Sequence, residues 1–437
     1  MAFRPDIYGL PASEIAGVQT ELLRETVRYA ALTSPFYRDR FAAAGVDVSS
    51  VRTLADLVRL PITSREDIQR RSRDAWAVPR ERVAEIVATT GTTGEPLYVA
   101  MTRSDLERLG ENERRGFVWL GARPGDRFHI AVTLDNLFVA GLAYHLGLAR
   151  LGASAIRVGA QPVRRHLDLM KQLRPDGLVA VPSLLLALAR RARADGEELA
   201  AFAPRRAMLI GDAIRGADLG SNTLGRLLEE AWGGELFSTY GLTEAGLAFH
   251  ECPEHRGLHS HPDLVIVEIV DDAGRPVPEG EAGELAITTL QVEGMPLVRY
   301  LTGDVTFLVP GACPCGRGGA RIGPILGRKQ QRLKVKGTTL YPKAIEDVLL
   351  SVDGVENFVI EAHTGDGETD RLVVRVGTVR SDRTVRTTIG DELYAKVRVT
   401  PEIHLAAPAE VEALLFEGGR RKPRVFVDLR TPQGGSA

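Results

Sequence analysis

The chain has 437 residues, too many for one ordinary core and suited to two or three domains. An apolar share of 44%, a charged share of 26% and a formal net charge of −2 describe a globular protein in water. They supply no basic field that would make nucleic acid the main partner. The opening MAFRPDIYGLPASE lacks a basic segment followed by an apolar core, so no signal peptide is expected. LFVAGLAYHLGLARLG is too short and too interrupted to span a bilayer. The expected location is the cytoplasm, with no membrane partner.

The first fifty residues read as helix. ASEIAGVQTELLRETVRYAAL carries apolar residues at helical spacing, and SPFYRDRFAAAGV continues after a Ser-Pro break. In TSREDIQRR, Thr63 is placed as an N-cap with Glu66 three residues on. From residue 80 to about 325, short apolar runs (RFHIAVTL, ASAIRVG, GLVAVPS, RAMLIG) alternate with helical patterns (RRHLDLMKQLR, SLLLALARRARADG, LGRLLEEAWG). That alternation predicts an α/β layered domain. LVIVEIVDDAGRPVPEGEAGELAITTL then reads as two antiparallel strands around a Gly/Pro turn. The last hundred residues form a smaller α+β unit with strands at NFVIEAH, RLVVRVG and EIHLAAP. The boundary is placed near Gly327–Gln331, giving domains 1–327 and 328–437.

TTGTTGEP, Thr89 to Pro96, concentrates four hydroxyls and two glycines just after VAEIVA. Glycine permits close backbone approach to a polyphosphate, and successive N–H groups make an anion nest. No Gly-Lys-Ser/Thr closes it as in a P-loop, and a Thr/Gly-rich hairpin turn is the competing reading. Its companions are TYGLTEAG (Thr239 to Gly246), LVRYLTGDV with Asp304 after a glycine, GRKQQRLKVKG, and RRKPRVFVDLR with Lys422.

This ordered set, with SPFYRDRFAAAGV, TLADLVRLPITSREDI, STYGLTEAG, GELAITTL, MPLVRYLTGD, CPCGR and KPRVFVDLR, resembles the adenylate-forming superfamily and its phenylacetate–CoA ligase branch. The resemblance spans nearly the whole chain. It implies a large multi-subdomain N-terminal domain of layered sheets and helices, with a small mobile α+β C-terminal domain. It also implies ATP-dependent activation of a carboxylic acid, usually aromatic, to an acyl-adenylate, with magnesium, and transfer to coenzyme A. By resemblance, Thr89, Thr90, Gly91, Thr92, Thr93 and Gly94 bind the β- and γ-phosphates. Tyr240 packs on adenine beside Gly241, while Gly211, Asp212 and Ala213 line the adenine and the acyl pocket. Asp304 accepts the ribose hydroxyls and Arg328 adds a ribose or phosphate contact. Glu244 holds magnesium and forms the catalytic set with Thr243 and Lys422. Lys422 bridges the acid and the α-phosphate; the competing reading puts it in a solvated basic run. Where relatives often carry acidic hinge residues, this chain has Gln330 and Gln331, which keeps another acceptor open: a carrier-protein thiol, an amine or a nitrogen nucleophile. A non-catalytic nucleotide-binding relative is the third reading, opposed by Glu244, Asp304 and Lys422. Relatives are often homodimers.

Asp135 and Asn136 stand where several relatives have Tyr and Gly. Together with Phe138 they are candidates for the acid pocket, where a polar pair selects a ring hydroxyl or amine. The alternative is that they cap the helix beginning near Leu137. The three cysteines fall in two clusters: Cys252 in HECPEHRGLHSH, and Cys313 and Cys315 in GACPCGR. With one histidine they make a tetrahedral zinc set, structural and closed. The resemblance favours His259 as fourth ligand, His255 has Cys-x-x-His spacing, and free or buried thiols remain the alternative.

Overall fold

The computed structural model describes residues 3–4, 6–89, 96–335, 338–365, 369–380, 383–418 and 423–430. The chain divides into two compact units: Met1–Ser221, Gly225–Thr302 and Thr306–Pro324 in the first, Asn222–Leu224, Gly303–Val305 and Ile325–Ala437 in the second.

The first unit is built on an eight-stranded sheet. In spatial order its strands are Arg321–Ile322, Leu258–His259, Leu247–His250, Glu235–Leu242, Arg206–Ile210, Gly177–Ala180, Arg127–Ile130 and Ser154–Arg157. The last five pair in parallel, with helices in the crossovers; Leu247–His250, Leu258–His259 and Arg321–Ile322 pair antiparallel. The near-continuous apolar runs have their cause here, since Leu178, Val179, Ala207 and Leu209 are wholly buried. Val265–Val270 and Gly283–Thr289 form the expected antiparallel pair of a second sheet.

Helices Arg103–Trp119 and Val139–Leu151 lie close together and bury Phe117, Tyr144 and Leu148 over Phe128 and Ile130. Glycines allow the approach: a Cβ on Gly147 would stand 2.5 Å from the Glu113 Cβ, and one on Gly116 would stand 2.3 Å from the His250 ring. Asn112 clips the first helix to the strand Leu247–His250, donating to the Ala248 carbonyl at 3.0 Å and accepting from its N–H at 2.9 Å.

The predicted cap at Thr63 is one residue early. Ser64 and Asp67 form the capping box of helix Arg65–Arg70, because the Thr63 backbone is taken by strand-like pairing: its N–H donates to Arg299 O at 3.0 Å and its carbonyl accepts from Leu301 N–H at 2.8 Å. In the second unit a four-stranded sheet orders Glu402–Ala406, Asp370–Gly377, Asn357–Thr364 and Phe426–Leu429. Helices Pro342–Leu350 and Arg383–Val397 contribute Ile345, Leu349, Ile389 and Leu393 to its core. No helix among the described residues is long and apolar enough to cross a membrane.

Candidate active site

Parallel strands bring the segments that follow them to one edge of the sheet. Open α/β sheets bind ligands at that carboxyl edge. Here it carries Gly211–Ala213 after Arg206–Ile210, the turn Thr243–Gly246 after Glu235–Leu242, and the loop holding Asp135 after Arg127–Ile130. Ile210 pairs with Thr239, so Gly211 comes level with Tyr240. Gly211, Asp212 and Gly241 are exposed, and Gly211 has φ +89°, a conformation that favours glycine. The half-buried Tyr240 ring leans on Phe249 at 5.9 Å between centroids.

Glu244 is buried beside Tyr300, whose hydroxyl donates to Glu244 Oε1 at 2.9 Å. Burial first, then the Glu244 charge, hold the Tyr300 hydroxyl far above its ordinary pKa, so it stays a donor. Glu244 Oε2 has no hydrogen-bond partner among the described residues. One oxygen is therefore pinned and the other open, an arrangement suited to a hard cation. The turn behind it is fixed by Arg108, which reaches the carbonyls of Ala245 (3.2 Å), Gly246 (2.9 Å), Leu264 (2.6 Å) and Leu290 (2.9 Å). Burial lowers Arg108 to about 10, still charged at neutral pH. Tyr300 and Arg108 escaped sequence reading, although Tyr300 stands four residues before Asp304 in a motif already singled out.

Thr89 is the described end of the threonine–glycine stretch; Thr90, Gly91, Thr92, Thr93 and Gly94 lie outside the described residues, as does Lys422. Thr89 and Leu97 close the base of the stretch with a 3.0 Å bond between Thr89 N–H and Leu97 O. In the second unit, Asp304 is buried opposite Arg328 across the strand pair, with Arg328 Nε 3.5 Å from Asp304 Oδ1. Gln330 and Arg332 offer their carbonyls to Arg430, at 3.2 Å and 2.8 Å.

The Asp135 loop is exposed and sharply turned, with Asn136 and Leu137 at φ 59° and 60°. Asp135 accepts from the Thr133 hydroxyl. Neither Asp135 nor Asn136 caps the following helix: its N-cap is Phe138, with no side-chain bond, and Phe138 rests on the core. The capping alternative therefore falls.

The metal candidates converge. Ligand atoms of Cys252, His259, Cys313 and Cys315 all lie within 4.8 Å of one another. Cys252 Sγ to Cys313 Sγ is 3.7 Å, and Cys315 Sγ to His259 Nε2 is 3.5 Å. A tetrahedral zinc with bonds near 2.3 Å to sulfur and 2.0–2.1 Å to nitrogen needs separations of about 3.8 and about 3.6 Å. The donor set fits. Burial pushes Cys252 up to about 12 and raises Cys313. For Cys315 burial acts upward, but the Arg317 N–H and the neighbouring thiols bring it below its ordinary value. Burial, with Arg321 and Arg317, lowers His259 to about 3, leaving the neutral imidazole that ligation requires. His255 lies outside this group, 3.0 Å from Glu251 and 3.1 Å from Arg215.

A chain with this sheet, this carboxyl edge and a buried glutamate at its turn belongs to the AMP-binding enzymes, the family it matches over residues 32–294, with the family's C-terminal domain matched over residues 337–430. Within the adenylate-forming superfamily it falls in the phenylacetate–CoA ligase-like branch, which makes it an AMP-forming acid–thiol ligase. It is 35% identical to the phenylacetate-coenzyme A ligase of Thermus thermophilus, over 98% of this chain and 100% of that protein. It is 31% identical to the enzyme of that name from Escherichia coli, over 85% and 84%. In fold it resembles 2-hydroxyisobutyryl-CoA ligase solved with 2-HIB-AMP, at TM-score 0.85 and 23% identity, over 97% of this chain and 91% of that one.

Proposed function

We propose that this chain activates an aromatic carboxylic acid with ATP and magnesium to an acyl-adenylate, releasing pyrophosphate, and then passes the acyl group to coenzyme A with loss of AMP. The observation that carries the reading is the buried Glu244, pinned on one oxygen and open on the other at the carboxyl edge of the sheet. The phenylacetate-coenzyme A ligases among its relatives support the choice of acid and acceptor.

Residue roles follow the family motifs. Glu244 would hold the magnesium, whose charge would offset that of the phosphates. Thr89 and the five residues after it, Thr90–Gly94, hold the β- and γ-phosphates. Tyr240 and Gly211–Ala213 frame the adenine, and Asp304 with Arg328 takes the ribose. Lys422 bridges the acid oxygen and the α-phosphate. Thr243 completes the catalytic turn. Asp135 and Asn136, exposed at the same edge, favour a ring bearing a hydroxyl or amine. Zinc in the Cys252–His259–Cys313–Cys315 set is structural, since four protein ligands leave no open position. The family resemblance adds a homodimer, and the sequence-based expectation of a cytoplasmic location stands beside it.

ATP–pyrophosphate exchange over benzoic, phenylacetic, cinnamic and amino- or hydroxy-substituted aryl acids, without coenzyme A, tests the first half. Exchange with an aryl acid, followed by thioester on adding coenzyme A, is the expected result. Exchange without thioester moves the acceptor to a carrier thiol, amine or nitrogen nucleophile. No exchange with any acid overturns the reading.

A further inference from the structure

We propose that Arg65 makes Thr89 a committed hydrogen-bond donor to the polyphosphate of ATP, and so is the positioning residue for the β,γ-phosphate end of the nucleotide. The proposal rests on the adenylating reading above and extends it to a residue outside the threonine–glycine stretch.

Arg65 is the first residue of a helix whose start is fixed by the Ser64–Asp67 capping box. From there its Nη2 donates to Thr89 Oγ1 at 2.7 Å. The same oxygen accepts the Leu97 N–H at 3.0 Å. A hydroxyl has two lone pairs and one hydrogen. Both lone pairs of Thr89 are filled, so the group can only donate. Thr89 is 6% exposed, and none of its hydrogen bonds among the described residues uses that hydrogen. The matching ligand atom is a pure acceptor, as a phosphate oxygen is.

Electrostatics add a second reason. The Arg65 charge acts on the Tyr300 hydroxyl, the group that holds Glu244. One guanidinium thus lies within electrostatic reach of the hydroxyl that holds Glu244 and in direct contact with the base of the threonine–glycine stretch. Its only hydrogen bond among the described residues is the one to Thr89, which leaves N–H groups over for an anion. The ion-pair partners expected of a structural surface arginine are absent among the described residues.

The test compares two nucleotides by calorimetry on the full-length chain, with magnesium: ATP, and AMP, which lacks the β- and γ-phosphates. Arg65→Met and Thr89→Val are each expected to weaken ATP about tenfold while leaving AMP within about twofold. Arg65→Lys is expected to recover part of the loss through its charge. The Arg65→Met/Thr89→Val double variant is expected to be little worse than either single one, since both break one interaction. Equal weakening of ATP and AMP, or unchanged ATP affinity in Arg65→Met, would overturn the proposal. A wild-type chain that binds neither nucleotide would instead overturn the adenylating reading, and this inference with it.

Discussion

Replacing Tyr300 by phenylalanine separates two things the Glu244 site does at once. The ring stays in place and only the hydroxyl leaves, so no sizeable cavity opens in this fully buried position. What goes is a 2.9 Å hydrogen bond from a neutral donor to a buried carboxylate. Bonds to charged groups contribute about 1.5–3 kcal/mol, and the acceptor left behind has no other donor among the described residues. Urea unfolding should therefore lose about 1.5–3 kcal/mol with an unchanged m-value. The effect on nucleotide binding should be smaller. Glu244 keeps its charge and its open oxygen, and loses only pre-orientation. Ordering one side chain costs about 0.5–1 kcal/mol, so magnesium–ATP affinity should fall about two- to fivefold. The assay pairs an unfolding curve with a magnesium titration of ATP binding. If Tyr300→Phe weakened magnesium–ATP as severely as Glu244→Gln, Tyr300 would be part of the ion site itself and the reasoning would fail. Unchanged stability would refute the premise that the bond holds the turn.

Four further outcomes are expected. Glu244→Gln keeps the shape and removes the charge, and should cut ATP–pyrophosphate exchange by about a hundredfold or more while the fold, read by circular dichroism, persists. Arg108→Met strips four buried carbonyls of their donor, and a loss of about 3 kcal/mol or more should appear in denaturant melts. Chelation of zinc, or Cys313→Ser, should lower Tm by about 3–4 °C, the stabilisation of a ligand at a hundred times its Kd spread over a unit of this size; equal melting with and without chelator would remove zinc from the account. The buried pair His129 Nε2–His166 Nδ1, 2.8 Å apart, should make the protein acid-sensitive. Burial, then His166, depress His129 to about 3, so the unfolded chain takes up the proton first. Stability is whole above pH 6.5 and is lost as pH falls toward 3, by about 2 kcal/mol between pH 7 and 5. His129→Gln should flatten that slope, and an unaltered slope would refute it.

Elements with a clear period were legible in the sequence. RAMLIG and GLVAVPS became the buried parallel strands Arg206–Ile210 and Gly177–Ala180, and RRHLDLMKQLR became Val163–Leu173, because strand and helix periods are local. The Ser64 cap was missed because two candidate capping boxes are offset by one residue, and the choice falls to the distant pairing of Thr63 with Arg299 and Leu301. Among the site residues, Cys252, Cys313 and Cys315 declared themselves by type, the resemblance favoured His259 over His255, and the coordinates group His259 with the three thiols. Tyr300, Arg108 and Arg65 carried no signal of their own. A tyrosine or arginine packed into a site is defined by the partner it meets there, and those partners lie 24 to 182 positions away. The glycine and threonine motifs announce where a ligand approaches, and the residues that stiffen them stay silent in one dimension.

The four-ligand cluster has a consequence for how the chain is made. Cys252 and Cys313 are 61 positions apart, and between them lie the strands Val265–Val270, Gly283–Thr289 and Tyr300–Thr306. Emerging from the ribosome, the chain presents one thiol and one imidazole long before the second and third thiols appear. An ion bound by all four ligands would close that segment as a single loop only once Cys315 had arrived. Closing a loop of such length costs little more entropy than closing one half as long. If the cluster holds zinc as proposed, a chain made without the metal would have its parallel sheet complete and the strands at its antiparallel end not yet tied together.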